Sequence, residues 1–114
     1  MSKSFEDLEV WKRACRLALD IYEVLKETKD YSLKNQMERA AVSVPSNIAE
    51  GQERDTVPEF RRFLRIAKGS NAELRTQLYL ATKLELITTE QSNKLINESK
   101  QISKMLQGLI KSLG

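Results

Sequence analysis

"QMERAAVSVPSNIAEGQER", residues 36–54, decides the fold, because it sets Pro45 inside a run otherwise spaced as helix. Met37, Ala40, Ala41, Val44 and Ile48 recur three or four residues apart, the period that gathers apolar side chains on one helical face. Leu33 opens the stripe, and Ile48 continues it in phase beyond the proline. A proline inside a helix removes one backbone hydrogen bond and crowds the carbonyl four residues back, here that of Ala41. The spacing predicts a helix over about 33–52, capped by Ser32 and kinked near Pro45, with a break at Pro45 as the alternative.

The next helix has the clearest start in the chain. Thr56-Val57-Pro58-Glu59 combines a Thr cap, a first-turn proline and a Glu at the capping-box position. Phe60, Phe63, Leu64, Ala67, Leu74, Leu78, Ala81 and Leu84 continue an apolar stripe, placing helix 3 at about 57–86. Gly69-Ser70 falls in its middle, where Gly costs about 1 kcal/mol relative to Ala. Close approach of a neighbouring helix would account for it.

Polar residues keep the same period. Gln36, Arg39, Ser43, Asn47, Glu50 and Arg54 line one side of helix 2, and Arg62, Ser70, Glu73 and Gln77 repeat the pattern on helix 3. In an antiparallel hairpin turning near Asp55, residues whose numbers sum to roughly 110–113 lie opposite each other. Arg39 then meets Glu73, Glu50 meets Arg62, and Gln36 meets Gln77. Three readings stand: a solvated face, a structural network fixing helix register or subunit contacts, and a ligand or RNA site. The Ser-Asn-Glu-Gly run is not a phosphate loop, since it lacks the second Gly and the Lys-Ser/Thr of that motif.

Outward from the hairpin, helix 1 is predicted over about 5–28, with Ser4 and Asp7 resembling a capping box. Leu8, Trp11, Cys15, Ala18, Tyr22 and Leu25 form one apolar stripe, and Val10, Ala14, Leu17, Ile21 and Val24 a second beside it. Together they cover roughly 200° of the helix, against the ~100° of an ordinary surface helix. That excess nominates Val10, Ala14, Leu17, Ile21 and Val24 as an interface between identical subunits. Thr88 with Gln91 starts helix 4 at about 89–112, whose apolar face runs from Leu95 through Leu106 and Ile110. The expected architecture is all-α: one domain over 1–114, an antiparallel up-down-up-down four-helix bundle.

Composition narrows function. The 114 residues carry a net charge of +3 with both signs interspersed, which permits an acidic partner such as RNA without requiring one. No apolar run approaches a membrane span, and the N-terminus has no leader-like stretch. The lone Cys15 permits no internal disulfide, so a reducing cytoplasm is expected. There is no His, which removes the commonest general base and the Glu-x-x-His pair of di-iron bundles. No enzyme activity, cofactor, metal or small-molecule substrate is expected. Arg54, Arg61, Arg62, Arg65, Lys68 and Arg75 cluster along the helix 2–3 turn and helix 3, a candidate nucleic-acid surface diluted by Glu53, Asp55, Glu59 and Glu73.

Three segments, "FEDLEVWKRA" (5–14), "QMERAAVSVPSNIAEG" (36–51) and "EFRRFLRIAKGSNAELRTQL" (59–78), resemble the four-helix-bundle proteins associated with intervening sequences in bacterial 23S ribosomal RNA genes. By position the resemblance singles out Trp11, Gln36, Arg39, Ser43, Ser46, Asn47, Glu50, Gly51, Arg54, Phe60, Phe63, Gly69, Ser70, Glu73 and Gln77. It implies a compact bundle that assembles with itself, as a pentameric ring, and no catalytic activity. The fold is also similar to the accessory protein of diversity-generating retroelements, which implies RNA or an RNA-handling protein as a partner. The expected role is a non-enzymatic oligomeric scaffold or adaptor, with direct nucleic-acid binding as the alternative.

Overall fold

A computed structural model describes residues 4–114. Four helices follow a short 3-10 turn at Phe5–Asp7: α1 (Glu9–Val24), α2 (Tyr31–Glu53), α3 (Val57–Lys83) and α4 (Thr89–Ser112). The described residues contain no strand. α1 and α3 each touch α2 and α4, while neither diagonal pair meets, so the helices occupy the corners of a bundle 46 Å long and 21 × 19 Å across.

Local chemistry sets the boundaries. α2 runs unbroken through Pro45, so the helix wins over the break; Pro45 itself is buried. Its N-cap is Asp30, whose Oδ1 accepts from the Leu33 amide at 3.1 Å, two residues before the expected Ser32. A carboxylate does this better than a hydroxyl, because it also meets the positive end of the helix dipole. The expected helix over 5–28 is shorter at both ends. Leu8 is extended (φ −77°, ψ 123°) and separates the 3-10 turn from α1. Ser4 caps that turn by accepting from the Glu6 amide at 3.1 Å, and Phe5 packs edge-on against Trp11 with ring centroids 5.2 Å apart.

The starts of α3 and α4 match their sequence signals. Thr56 Oγ1 accepts from Glu59 N at 3.3 Å, and Thr88 and Gln91 form a reciprocal capping box with both bonds at 3.0 Å. α3 stops at Lys83, three residues before the expected Leu86, in a Schellman turn. Leu86 N donates to Ala81 O (2.9 Å) and Glu85 N to Thr82 O (3.0 Å), with Glu85 left-handed at φ 62°.

The core stacks one apolar face from each helix around Ile21, Leu25, Met37, Ile48, Leu64, Leu74, Leu78, Ile102 and Leu106, all with almost no exposed surface. Val10, Ala14, Leu17 and Ile21 belong to this core and Val24 packs against it. This corrects their expected role as a subunit interface. A helix at a bundle corner meets two neighbours, so its buried arc is wider than that of a helix lying on a single surface.

The two glycines at issue exchange roles. A Cβ on Gly51 would lie 2.7 Å from Phe63 Cβ and 3.1 Å from Phe60 Cδ1, so the close approach of α2 and α3 is there. A Cβ on Gly69 would meet nothing within 4 Å beyond its own stretch of helix among the described residues, so no close approach within the subunit requires that glycine.

Candidate functional site

The α2–α3 hairpin has the register that the sequence predicts. Ser43 and Ser70 share a hydrogen bond at 2.8 Å, and Gly51 abuts Phe60 and Phe63. The long side chains behave differently from expectation. Glu50 accepts from Arg54 (3.1 Å) and Arg62 donates to Glu59 (3.4 Å), each within its own helix. Gln77 Nε2 reaches Glu73 at 3.5 Å, also along one helix, and no Arg39–Glu73, Glu50–Arg62 or Gln36–Gln77 pair forms. The reason is steric. Where the helices come closest they meet through Gly and Ser, and Gln36, Arg39, Glu50 and Glu73 lie on the exposed side, fanned outward.

What remains of the seam is a structural clasp. Asn47 Nδ2 donates to both the Ser43 carbonyl (2.8 Å) and its hydroxyl (2.9 Å), fixing the Ser43 rotor toward Ser70. Arg54 and Arg62 lie over the Phe63 ring, their guanidinium carbons 4.9 and 4.7 Å from its centroid. Each such contact is worth about 0.5–1 kcal/mol at an exposed site. Gln77 Oε1 is buried without a partner among the described residues.

The six cations expected to bind nucleic acid therefore divide between two sides of α3. Arg54 and Arg62 face α2 and are neutralised by carboxylates. Lys68 and Arg75 face α4, where Lys68 Nζ donates to Gln107 Oε1 (2.7 Å) and Arg75 Nη1 to Ser99 Oγ (3.1 Å). Arg61 and Arg65 make no ion pair among the described residues. Beneath this second flank lies a buried polar lock. Asn71 Nδ2 donates to the Ser99 carbonyl at 2.7 Å, and Ser99 Oγ donates to Asn71 Oδ1 at 3.0 Å. Both residues are 0% exposed.

The sequence alone assigns α4 a cap and an apolar face but no functional residue. Lys100, Lys104 and Lys111 are exposed there, in a line with Gln107 on the side turned to α3. Their spacing of four and seven residues was the available signal. Without the partner helix, it reads as an ordinary wet face.

On the opposite side, α1 and α4 leave an open groove of about 410 Å³ lined by Glu9, Arg13, Arg16, Asp20, Lys94 and Glu98. Arg13 bridges it with two bonds to Glu98, at 2.8 and 2.6 Å. The Glu98 carboxylate holds the Arg13 guanidinium above its ordinary value, and burial pushes the Cys15 thiol up. No group of three or more His, Cys, Asp or Glu among the described residues is placed to hold a metal, and no described helix is long and apolar enough to cross a membrane.

Comparison with known proteins narrows the setting. A family model described as 23S rRNA-intervening sequence protein matches residues 6–108. A solved structure from Bacteroides thetaiotaomicron, of a protein of unknown function in the S23 ribosomal protein family, is similar with a TM-score of 0.86 and 29% identity, covering 90% of this chain and 98% of that one. No curated protein matches.

Proposed function

The chain belongs to the 23S rRNA-intervening sequence protein family, and we propose that it acts as a non-enzymatic scaffold in which identical subunits join head to tail in a ring. The observation that carries this reading is the placement of exposed apolar side chains. Leu19 (71% exposed) and Tyr22 project from α1, while Ile66, Leu80 (50%) and Leu84 (58%) share one exposed line on α3. α1 and α3 are diagonal corners, so the two patches look out from opposite sides of the bundle. Unlike patches on opposite sides suit a heterologous contact, which repeats until rotation closes it.

Open space around Gly69, on the same helix as Ile66 and Leu80, leaves room for a second copy to approach that side closely. Five subunits is the number the family resemblance implies. A non-enzymatic role is supported by the absence of His, the commonest general base. A free thiol suits a reducing cytoplasm as the working compartment.

Light scattering at micromolar concentration tests the arrangement. The parent chain is expected to be oligomeric, and Leu19→Glu and Leu80→Glu each monomeric with unchanged helicity. Mixing the two variants should give a 1:1 dimer, because each retains the face the other lacks. A monomeric parent, or a mixture that stays monomeric, would reject the head-to-tail contact.

A further inference from the structure

We infer that the flank shared by α3 and α4 is a docking surface for the phosphate backbone of a nucleic-acid duplex. On α3, Arg61, Arg65, Lys68, Arg75, Tyr79 and Lys83 follow one another at three- or four-residue steps, interrupted only by Ala72. On α4, Asn93, Asn97, Lys100, Lys104, Gln107 and Lys111 do the same. The Lys68–Gln107 and Arg75–Ser99 bonds tie the two lines into one face. Neither line contains an acidic residue, so eight of the nineteen basic residues sit here with none of the sixteen acidic ones.

Partner chemistry separates this flank from the rest of the molecule. Arg13, Arg54 and Arg62 each meet a carboxylate. On the α3–α4 flank the two cations that make side-chain bonds meet a neutral amide and a neutral hydroxyl, and the other six make no ion pair among the described residues. Cations three and four residues apart on a helix repel one another. A surface that holds eight of them unneutralised is arranged for an external polyanion with charges at similar intervals.

Dimensions and composition select the kind of polyanion. From Arg61 to Lys83 the line runs roughly 33 Å at 1.5 Å per residue, close to the ~34 Å turn of a duplex. Tyr79 is the one aromatic residue in the two lines, too few for the row of stacking platforms that single strands use. The surface is convex helix and shallow groove, which reaches phosphates and not base edges.

This reading does not depend on ring formation. Its test is fluorescence anisotropy of labelled 20-base-pair RNA and DNA duplexes titrated with the full chain at 50 and 200 mM salt, beside the matching single strand and polyglutamate. A flat face on a cylinder presents about half its cations, so the log–log salt slope should be about −3.6 and affinity should fall about 150-fold across that range. The two duplexes should bind within about threefold of each other. The exposed double variant Lys100→Ala/Lys104→Ala should flatten the slope by about 2. Arg54→Ala/Arg62→Ala, on the other flank, should leave it unchanged. No duplex binding at 50 mM salt, a slope indifferent to the α4 lysines, tighter binding of the single strand, or polyglutamate bound as tightly as duplex would each overturn the inference.

Discussion

The two flanks of α3 carry similar numbers of charged and polar side chains and use them in opposite ways. Toward α2, each bonded cation has a carboxylate on its own helix, and contact between helices is made by Gly51, Ser43 and Ser70. Toward α4, the lock is the buried Asn71–Ser99 pair, while the cations above it have neutral partners, or none among the described residues. The first flank spends its charge internally and leaves little for a partner. The second confines its structural chemistry to the interior and leaves its charge outside. The conspicuous polar pattern in the sequence marks the structural flank, and the less conspicuous one marks the surface with unspent charge.

Breaking the internal lock should have the largest effect on stability. Asn71→Ala removes the side-chain acceptor of the Ser99 hydroxyl and the donor to its carbonyl and leaves a void, with an expected loss of about 2–4 kcal/mol in urea unfolding. Closing the approach on the other flank comes next. Gly51→Ala drives a methyl group into Phe63, and overpacking typically costs about 1–3 kcal/mol. The gain in helix propensity returns ~1 kcal/mol, and because no rotamer moves Phe63 Cβ out of the way the cost lies in the upper half of that range, so a net loss of about 1–2 kcal/mol is expected in the same assay. The smallest effect sharpens the comparison most. Arg39→Ala and Glu73→Ala should be additive within ~0.3 kcal/mol in a double-mutant cycle, because both side chains are exposed and unpaired with each other. A coupling energy of 1 kcal/mol would put the charges of the α2 flank across the hairpin after all.

Much of the bundle can be read from local signals. The Thr56 and Thr88 caps need only residues three apart, and the Ser43–Ser70 register needs only the turn near Asp55. Misreadings arise where a residue has two suitors. Ser32 and Asp30 could both cap α2, and the carboxylate prevailed. The wide apolar face of α1 could serve a neighbour within the subunit or beyond it. Val10, Ala14, Leu17 and Ile21 went to the core, leaving Leu19 and Tyr22 outside. Charged pairs across the hairpin were misread because register fixes which residues are level, not where a long side chain turns. The α3–α4 flank was illegible for another reason. Lys100, Lys104 and Lys111 gain meaning only beside Arg61, Arg65 and Lys68, about forty residues away in the chain.

The turn between those two helices therefore acts as a ruler. Residues 84–88 join α3 to α4, anchored by the left-handed Glu85 at one end and the Thr88–Gln91 box at the other. α4 is one rigid rod, so the seating of Leu95, Ile102 and Leu106 in the core also sets Lys100 and Lys104 beside the cations of α3. A slip of α4 by one helical turn would carry those lysines about 5.4 Å along α3. A short turn anchored at both ends opposes such a slip, and so spaces a charge array that no residue in the turn itself belongs to.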